Sequence, residues 1–391
     1  MYIKSKKIYT ESGLVNGYLK VEDGKIKSIL AADEDVKDYQ DFSDYRIIPG
    51  IFDTHIHGTM GYSLMNKTKD TFSEIKGFLK GAASQGVTSV LPTADPKIFK
   101  DIVEVSRKDV KGAKIVGIHS EGPYLNRVGE NGVDEGHPDI DLKFLEQMVE
   151  DSSGMLKMVG MAPEIPGSKE ATEYLLNNNI RVAFTHSDSN YEESMEAFKR
   201  GVSISTHTAN VMTGIHHRDV GGLGASLLAP NIECEIICDG LHVSFEMLEI
   251  MFRIKAYDRF IMISDSTHLA GAPIGKYKSM NHNVNITEEG FALTDTGRLL
   301  GSTKSVMFGI KNLVEKMNLS MEDVLNMACL NPSRVYGVGD QKGSIRAGKA
   351  ADLVVIDDDY NVLYTFSEGE VVYDSTIDTD LFNEKILEDK I

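Results

Sequence analysis

Three cysteines, Cys234, Cys238 and Cys329, are all the thiol chemistry this chain has. An odd, small number with no C-x-x-C pair argues against a disulfide framework and against a thiolate zinc site. Cys234 and Cys238 fall in the apolar, strand-like run ECEIIC and read as buried free thiols. Positive charge is scarce too: 41 Lys and Arg stand against 59 Asp and Glu, a formal net charge of −18. So acidic a surface repels nucleic acid and anionic membrane, and neither is expected as a partner. An anionic ligand can be received only where cationic or amide groups gather locally. Long apolar runs are missing as well. No stretch approaches the length of a membrane-spanning helix. The N-terminus, MYIKSKKIYTESG, carries basic residues with no apolar run behind them, unlike a secretory signal. The expected location is cytoplasmic. No Pro- or Ser-rich linker, low-complexity tract or internal repeat beyond the strand–helix unit divides the chain.

What is there reads as a globular enzyme-sized protein. An apolar fraction of 41% and a charged fraction of 26% are ordinary for a soluble fold, and 391 residues suffice for one large domain and a small one. Residues 1–49 read as short strands with turns; in VEDGKIKSI an Asp-Gly pair joins two alternating segments, a hairpin signal. The stretch from about Gly343, including ADLVVIDDDYNVLYTFSEGEVVYD, reads the same way. The economical interpretation is a small β-sandwich built from both ends, 1–49 with 343–391, around a different middle, 50–342.

That middle alternates. Short apolar, β-branched runs occur at RIIPGIFDTHIH (46–57), VTSVLPTAD (87–95), KIVGIHSEG (114–122) and KMVGMAPE (157–164), then at RVAFTHSD (181–188), VSISTHTAN (202–210), CEIICDGLH (234–242) and RFIMISDS (259–266). Segments of helical period such as DTFSEIKGFLKGAASQG and YEESMEAFKRG separate them. Eight strand–helix alternations point to an α/β fold, a (β/α)8 TIM-type barrel. The strands lack a polar–apolar alternation, as expected where both faces are buried. The long segments GPYLNRVGENGVDEGHPD and 267–301, the latter with a hairpin-like HNVNITEEGFALTDTG, read as candidate lids or binding loops.

Catalytic groups of such a barrel gather at the C-terminal ends of its strands. The first run ends in His55 and His57, the third in Glu121, the fifth in His186, the sixth in His207, the seventh in His242 and the eighth in Asp265. Five of only eleven histidines fall in this set. Taken singly, each has a plain structural reading: Glu121 before Gly122-Pro123 would cap a turn, and Asp265 a helix. Taken together, they describe a metal site. Positions i and i+2 of a strand face one side, so His55 and His57 can present imidazole nitrogens to one ion. Glu121 can bind one ion or bridge two, and His186 and His207 can converge on a second position. A nitrogen and oxygen ligand set suits Zn²⁺, Fe²⁺, Mn²⁺ or Co²⁺ without choosing among them. Asp265 can take a proton from an activated water and return it to a leaving group. His119, two residues before Glu121, reads as a satisfied core histidine, and His216, His217, His268 and His282 as loop residues.

The segments PGIFDTHIHG, GIHSEGPYLN, MAPE, THSDSNYEE, STHTANVM, DGLHV and ISDSTHLAGAP, in this order, resemble the N-acetylglucosamine-6-phosphate deacetylases of the amidohydrolase superfamily. The similarity runs from about residue 46 through NPSRVYG and KGSIRAGKAADLVVID. It implies hydrolysis of acetate from the amide nitrogen of a 6-phosphorylated amino sugar, by one or two divalent ions, zinc first among them, in a homodimer. It implies Glu121, His186 and His207 as the main ligands, His55 and His57 as those of a second ion, and Asp265 as the catalytic aspartate. For the substrate it implies Asn210 and Val211, whose backbone N–H groups can meet phosphate. It also implies Arg218, which in such dimers reaches a neighbouring subunit's site, and His242. The family often carries a histidine or glutamine some twelve residues past the metal glutamate, beside the acetyl carbonyl; here His137 stands sixteen past Glu121. Ser266-Thr267-His268 departs from the usual Ala-Thr-rich form, which leaves glucosamine and galactosamine substrates both open. A hydrolase of another amide and a non-catalytic barrel homologue are the competing readings.

Overall fold

The computed structural model describes residues 1–126, 138–279 and 282–389. Each of the eight runs contains a strand: Ile51–Ile56, Val87–Pro92, Lys114–Ile115 with Ile118–Glu121, Leu156–Met161, Arg181–Phe184, Ile204–Ser205, Glu233–Ile237 and Phe260–Ile263. Helices lie between them at Thr71–Ser84, Phe99–Ser106, Leu142–Asp151, Ser168–Asn177, Tyr191–Lys199, Gly221–Leu228 and Phe245–Ile254, and Val306–Glu315 follows the last. Neighbouring strands pair in chain order and in parallel. Where the third strand breaks at Val116-Gly117, a parallel bridge from Thr93 to His119 carries the pairing on. Another bridge, Ile56 to Ser266, joins the first strand to residues just beyond the eighth. The parallel sheet is therefore curled, with mixed α and β content around it.

Both faces of this sheet are buried, which is why its strands read as apolar runs. Ile236 belongs to the large cluster packed under the helices, whereas its neighbour Ile237 joins Met158, Ala183, Ile204, Ile261 and Ile263 on the inner face. Each such side chain contributes roughly 1.5–3 kcal/mol of burial. Side-chain caps start the helices that follow the strands. Asn190 and Glu193 form a reciprocal capping box directly after THSDS, and Ser244 caps Phe245–Ile254.

The chain ends share one hydrogen-bonded sheet. Its order is Glu370–Asp374, Val362–Ser367, Leu353–Ile356, Arg46–Pro49, Tyr2–Thr10, Gly13–Glu22, Lys25–Ala31, and Gln40–Asp41 pairs with Tyr2–Thr10. Ile3, Leu19, Ile26, Ile47, Leu353 and Phe366 pack in its own apolar core. The Asp-Gly hairpin forms as expected: Asp23 (φ +50°) and Gly24 (φ +73°) both take the left-handed backbone that a tight two-residue turn needs.

Two details differ from the sequence reading. RIIPGIFDTHIH is not one strand: Arg46–Pro49 pairs in the terminal sheet, and Ile51–Ile56 opens the parallel one. The break falls at Gly50, where a Cβ would lie 2.1 Å from the Thr88 hydroxyl oxygen, so glycine permits the crossing. The insertion after the eighth strand is a three-stranded antiparallel sheet, Gly275–Ser279, His282–Ile286 and Ala292–Thr294, rather than a lone hairpin. Tyr277, Val284 and Ile286 pack there against Leu269 and Ile386. All three cysteines are buried and free. Among the described residues no helix is long and apolar enough to cross a membrane.

Candidate active site

The polar residues that end the strands meet at one edge of the curled sheet. Several do so on strained backbone. His186 (φ +44°), His207 (φ +30°), Ala209 (φ +87°), Val211 (φ +50°) and Asp265 (φ +49°) are all left-handed. That conformation is uncommon outside glycine and, for β-branched Val211, a genuine outlier. Its concentration at strand ends is the pattern of functional sites, where surrounding structure holds what local preference opposes. At Asp265 the holding groups are visible: its N–H donates to the His55 carbonyl, and its own carbonyl accepts from Ser302 N–H, both at 2.9 Å.

The side chains form two clusters that share Glu121. Oε1 of Glu121 lies 2.9 Å from His207 Nε2 and 3.3 Å from His186 Nε2, and these two nitrogens are 3.2 Å apart. Oε2 faces the other way, 3.1 Å from His57 Nε2 and 3.6 Å from His55 Nε2, which are again 3.2 Å apart. Asp265 Oδ1 stands 3.4 Å from both of the latter. Both triads, His55–His57–Glu121 and Glu121–His186–His207, have the ligand-atom spacing of a metal site.

The electrostatics follow from this crowding. Burial alone would raise the Glu121 carboxyl, but the charge of His55 and hydrogen bonds from His186 and His207 hold it well below the ordinary carboxylate range. Burial opposes charge on Asp265 too, and His55 and His57 outweigh it, so its carboxyl is lowered. Burial depresses the His55 imidazole; Asp265 and Glu121 overcome that and raise it well above its usual value. His119, by contrast, is pushed far down, first by burial and then by the charge of His55, so it is a neutral ring. Its Nδ1 pairs with the Thr93 hydroxyl at 2.9 Å, while its Nε2 has no partner among the described residues. It is thus less fully satisfied than a core histidine was expected to be.

These groups fit a divalent ion. Pairs of imidazole Nε2 atoms 3.2 Å apart, aimed at one carboxylate oxygen, cannot all be satisfied by hydrogen bonds among themselves. The negative field that draws protons onto His55 and His57 also draws a cation, and a cation displaces those protons as it binds. The donor set is nitrogen and oxygen with no sulfur, which suits zinc, iron, manganese or cobalt.

A cavity of about 620 Å³ opens above the clusters, lined among others by His57, Glu121, His186, His207, Asn210, Val211, His242 and Asp265. Ten of the residues singled out from sequence can be placed; eight of them line this cavity, and His55 is buried beside it against His57 and Glu121. The exception is Arg218, which is exposed on the 213–219 loop and does not line the cavity. His137 lies outside the described residues. His268, considered for sugar preference, faces Ser279 on a neighbouring cavity instead. His242 is held by a carboxylate: its Nδ1 is 2.6 Å from Asp239 Oδ2, and Asp239 Oδ1 accepts the N–H groups of Leu241 and His242 at 2.9 Å. Burial lowers the His242 imidazole, and Asp239 more than restores it.

Sequence reasoning missed three contributors. Arg298, carried in by the inserted sheet, lines the cavity and supplies a permanent positive charge. Asp53 accepts the N–H groups of His55 and Ser264 at 3.3 Å each, tying the first strand to the eighth. Glu235 stands behind His55. Asp53 had a sequence signal, a carboxyl two residues before the H-x-H pair; Arg298 had none.

Comparison with known proteins places the chain in a family. Residues 46–372 match the amidohydrolase family. The chain is 31% identical over 341 residues to the N-acetylglucosamine-6-phosphate deacetylase of Vibrio furnissii, covering 84% of this chain and 83% of that protein. It is 29% identical to the N-acetylgalactosamine-6-phosphate deacetylase of Escherichia coli O157:H7, covering 94% and 98%. The crystal structure of N-acetylglucosamine-6-phosphate deacetylase from Pasteurella multocida superposes with a TM-score of 0.85 at 28% identity, covering 95% and 98%. With its histidines and carboxyls gathered at the strand ends, the chain belongs to the amidohydrolase family.

Proposed function

We propose that this chain hydrolyses the acetamido group of N-acetylglucosamine-6-phosphate, giving glucosamine-6-phosphate and acetate in amino-sugar catabolism. The observation that carries the reading is Glu121 facing two histidine pairs, with Asp265 beside one of them and an open cavity above. Similarity to deacetylases of 6-phosphorylated amino sugars supports the substrate class. The N-acetylgalactosamine-6-phosphate isomer is the second reading, supported by the near full-length similarity to a deacetylase of that sugar.

The parallel strands and the bridges Thr93–His119 and Ile56–Ser266 support a (β/α)8 barrel of residues 50–342. The terminal sheet supports a small β-sandwich of 1–49 with 343–391. Glu121, His186 and His207 would hold one ion, and Glu121, His55 and His57 a second, with zinc the first choice. An ion held there supplies Lewis-acid polarisation and acidifies water.

The chain's own groups do the rest. Asp265, ionised and 3.4 Å from the nearer histidines, takes the proton of the water that adds to the acetyl carbon. When the C–N bond breaks, it returns that proton to the departing amine. His242, oriented by Asp239, meets the sugar from the cavity wall, and the resemblance assigns the acetyl carbonyl to His137. The backbone at Asn210 and Val211 receives phosphate, with Arg298 from the same chain and Arg218 from a second copy in a homodimer. An acidic cytoplasmic protein thereby collects an anion without a basic surface.

Acetate release and free-amine formation from N-acetylglucosamine-6-phosphate, its galactosamine isomer and the unphosphorylated sugar test the reading. Turnover of a phosphorylated sugar with little on the unphosphorylated one supports it. No release from any of the three overturns it.

A further inference from the structure

Glu235 is a carboxyl group in the interior of the curled sheet, and nothing in the proposed chemistry uses it. Its side chain is fully buried, with 0% exposure. It shares a face of the strand Glu233–Ile237 with Ile237, which packs in the inner apolar cluster. Among the described residues two side chains hydrogen-bond to it, both from the first strand: the Thr54 hydroxyl donates to Oε1 at 2.9 Å, and His55 Nδ1 lies 3.2 Å from Oε2. Among the described residues His55 is its one ion-pairing partner, and no lysine or arginine reaches it. A fully buried carboxyl group with so few partners is costly, so the arrangement calls for a role.

The geometry points to Glu235 as the positioning residue of His55. By accepting the Nδ1–H, it fixes the tautomer in which the Nε2 lone pair faces Glu121 and Asp265, and so builds the His55–His57–Glu121 triad as an ion site. This rests on the metal-dependent reading above.

The chemistry of ligand histidines supports the assignment. An imidazole that binds metal through one nitrogen donates the other N–H to a carboxylate or carbonyl, which fixes the ring and raises its basicity. The backing here is selective. Among the described residues His57 Nδ1 faces the Met65 sulfur, at 3.1 Å, and His207 Nδ1 has no partner. His55 alone of these three has a carboxylate behind it. Glu235 is itself aimed by its register opposite Ile261 in the parallel sheet and by the Thr208 N–H, which donates to its backbone carbonyl at 2.7 Å.

The test is ion binding, which reads out separately from acetate release. The purified protein is dialysed against graded free Zn²⁺, and ions per chain are counted for wild type, E235Q, H55N and E235Q/H55N. We expect two ions in wild type. In E235Q the affinity for one of them falls roughly ten- to a hundred-fold while the other is unchanged. H55N loses that same ion, and the double variant is no worse than H55N. Wild-type affinity for both ions in E235Q, additive losses in the double variant, or one ion in wild type each overturn the proposal. A ¹⁵N-histidine spectrum of the zinc-loaded wild type covers the case where E235Q does not fold. The ring assigned to His55 by its loss in H55N should carry its proton on Nδ1, and a proton on Nε2 overturns the assignment. A merely structural Glu235 would change melting temperature and move neither ion count nor tautomer.

Discussion

His207 Nε2 lies 2.9 Å from one oxygen of Glu121 while the other oxygen of the same carboxyl lies 3.1 Å from His57 Nε2. One side chain thus closes both ligand clusters. E121A is therefore expected to lose both ions on dialysis, whereas H207N loses the ion of one cluster and H57N that of the other. Metal content measured by atomic emission on the three variants decides this. A full complement retained in E121A would contradict a shared carboxylate.

The cation on the cavity wall is Arg298, and the exposed Arg218 stands off it. A hydrogen bond to a charged group is worth about 1.5–3 kcal/mol. R298A is accordingly expected to raise KM for the phosphorylated sugar by about ten-fold or more, with kcat within roughly two-fold, and to leave the unphosphorylated sugar unaffected. R218A should show the same split if a second copy lends that residue. Equal KM values for wild type and R298A would remove Arg298 from the phosphate site.

Asp53 couples pH to stability. Burial pushes its carboxyl up to about 7, from an unfolded value near 3.8. The folded state therefore holds this proton more tightly than the unfolded state does. Stability falls as pH rises from about 3.8 to about 7 and is level above that, a loss on the order of 4 kcal/mol. D53N keeps an oxygen for the His55 and Ser264 N–H groups and has no charge to bury. Its stability relative to wild type should increase between pH 5 and pH 8 in denaturant melts. A decrease over that interval would contradict the assignment.

Much of this site could be read before the structure, for a physical reason. Histidine is scarce here, and parallel strands buried on both faces tolerate polar residues only at their ends, so His186, His207 and Asp265 stand out against their apolar runs. The i, i+2 spacing of His55 and His57 adds direction. Glu235 was not legible because nothing in its own strand says what a carboxyl there meets: its partners Thr54 and His55 come from the first strand, which its strand does not pair with. Arg298 was not legible because it arrives on an insertion whose place depends on tertiary packing of Tyr277, Val284 and Ile286. The division of RIIPGIFDTHIH at Gly50 was equally hidden: the run is apolar on both sides, and the cause is a close approach to Thr88.

In the proposed mechanism Asp265 moves the proton, at a site whose ions other residues would hold. The most direct measurement is acetate release by D265N from N-acetylglucosamine-6-phosphate, with metal content determined on the same sample. Loss of a positioned acid–base group costs about a hundred- to ten-thousand-fold. We expect kcat to fall by at least that much while the ion content stays near that of wild type. Near-normal turnover in metal-loaded D265N would contradict the mechanism.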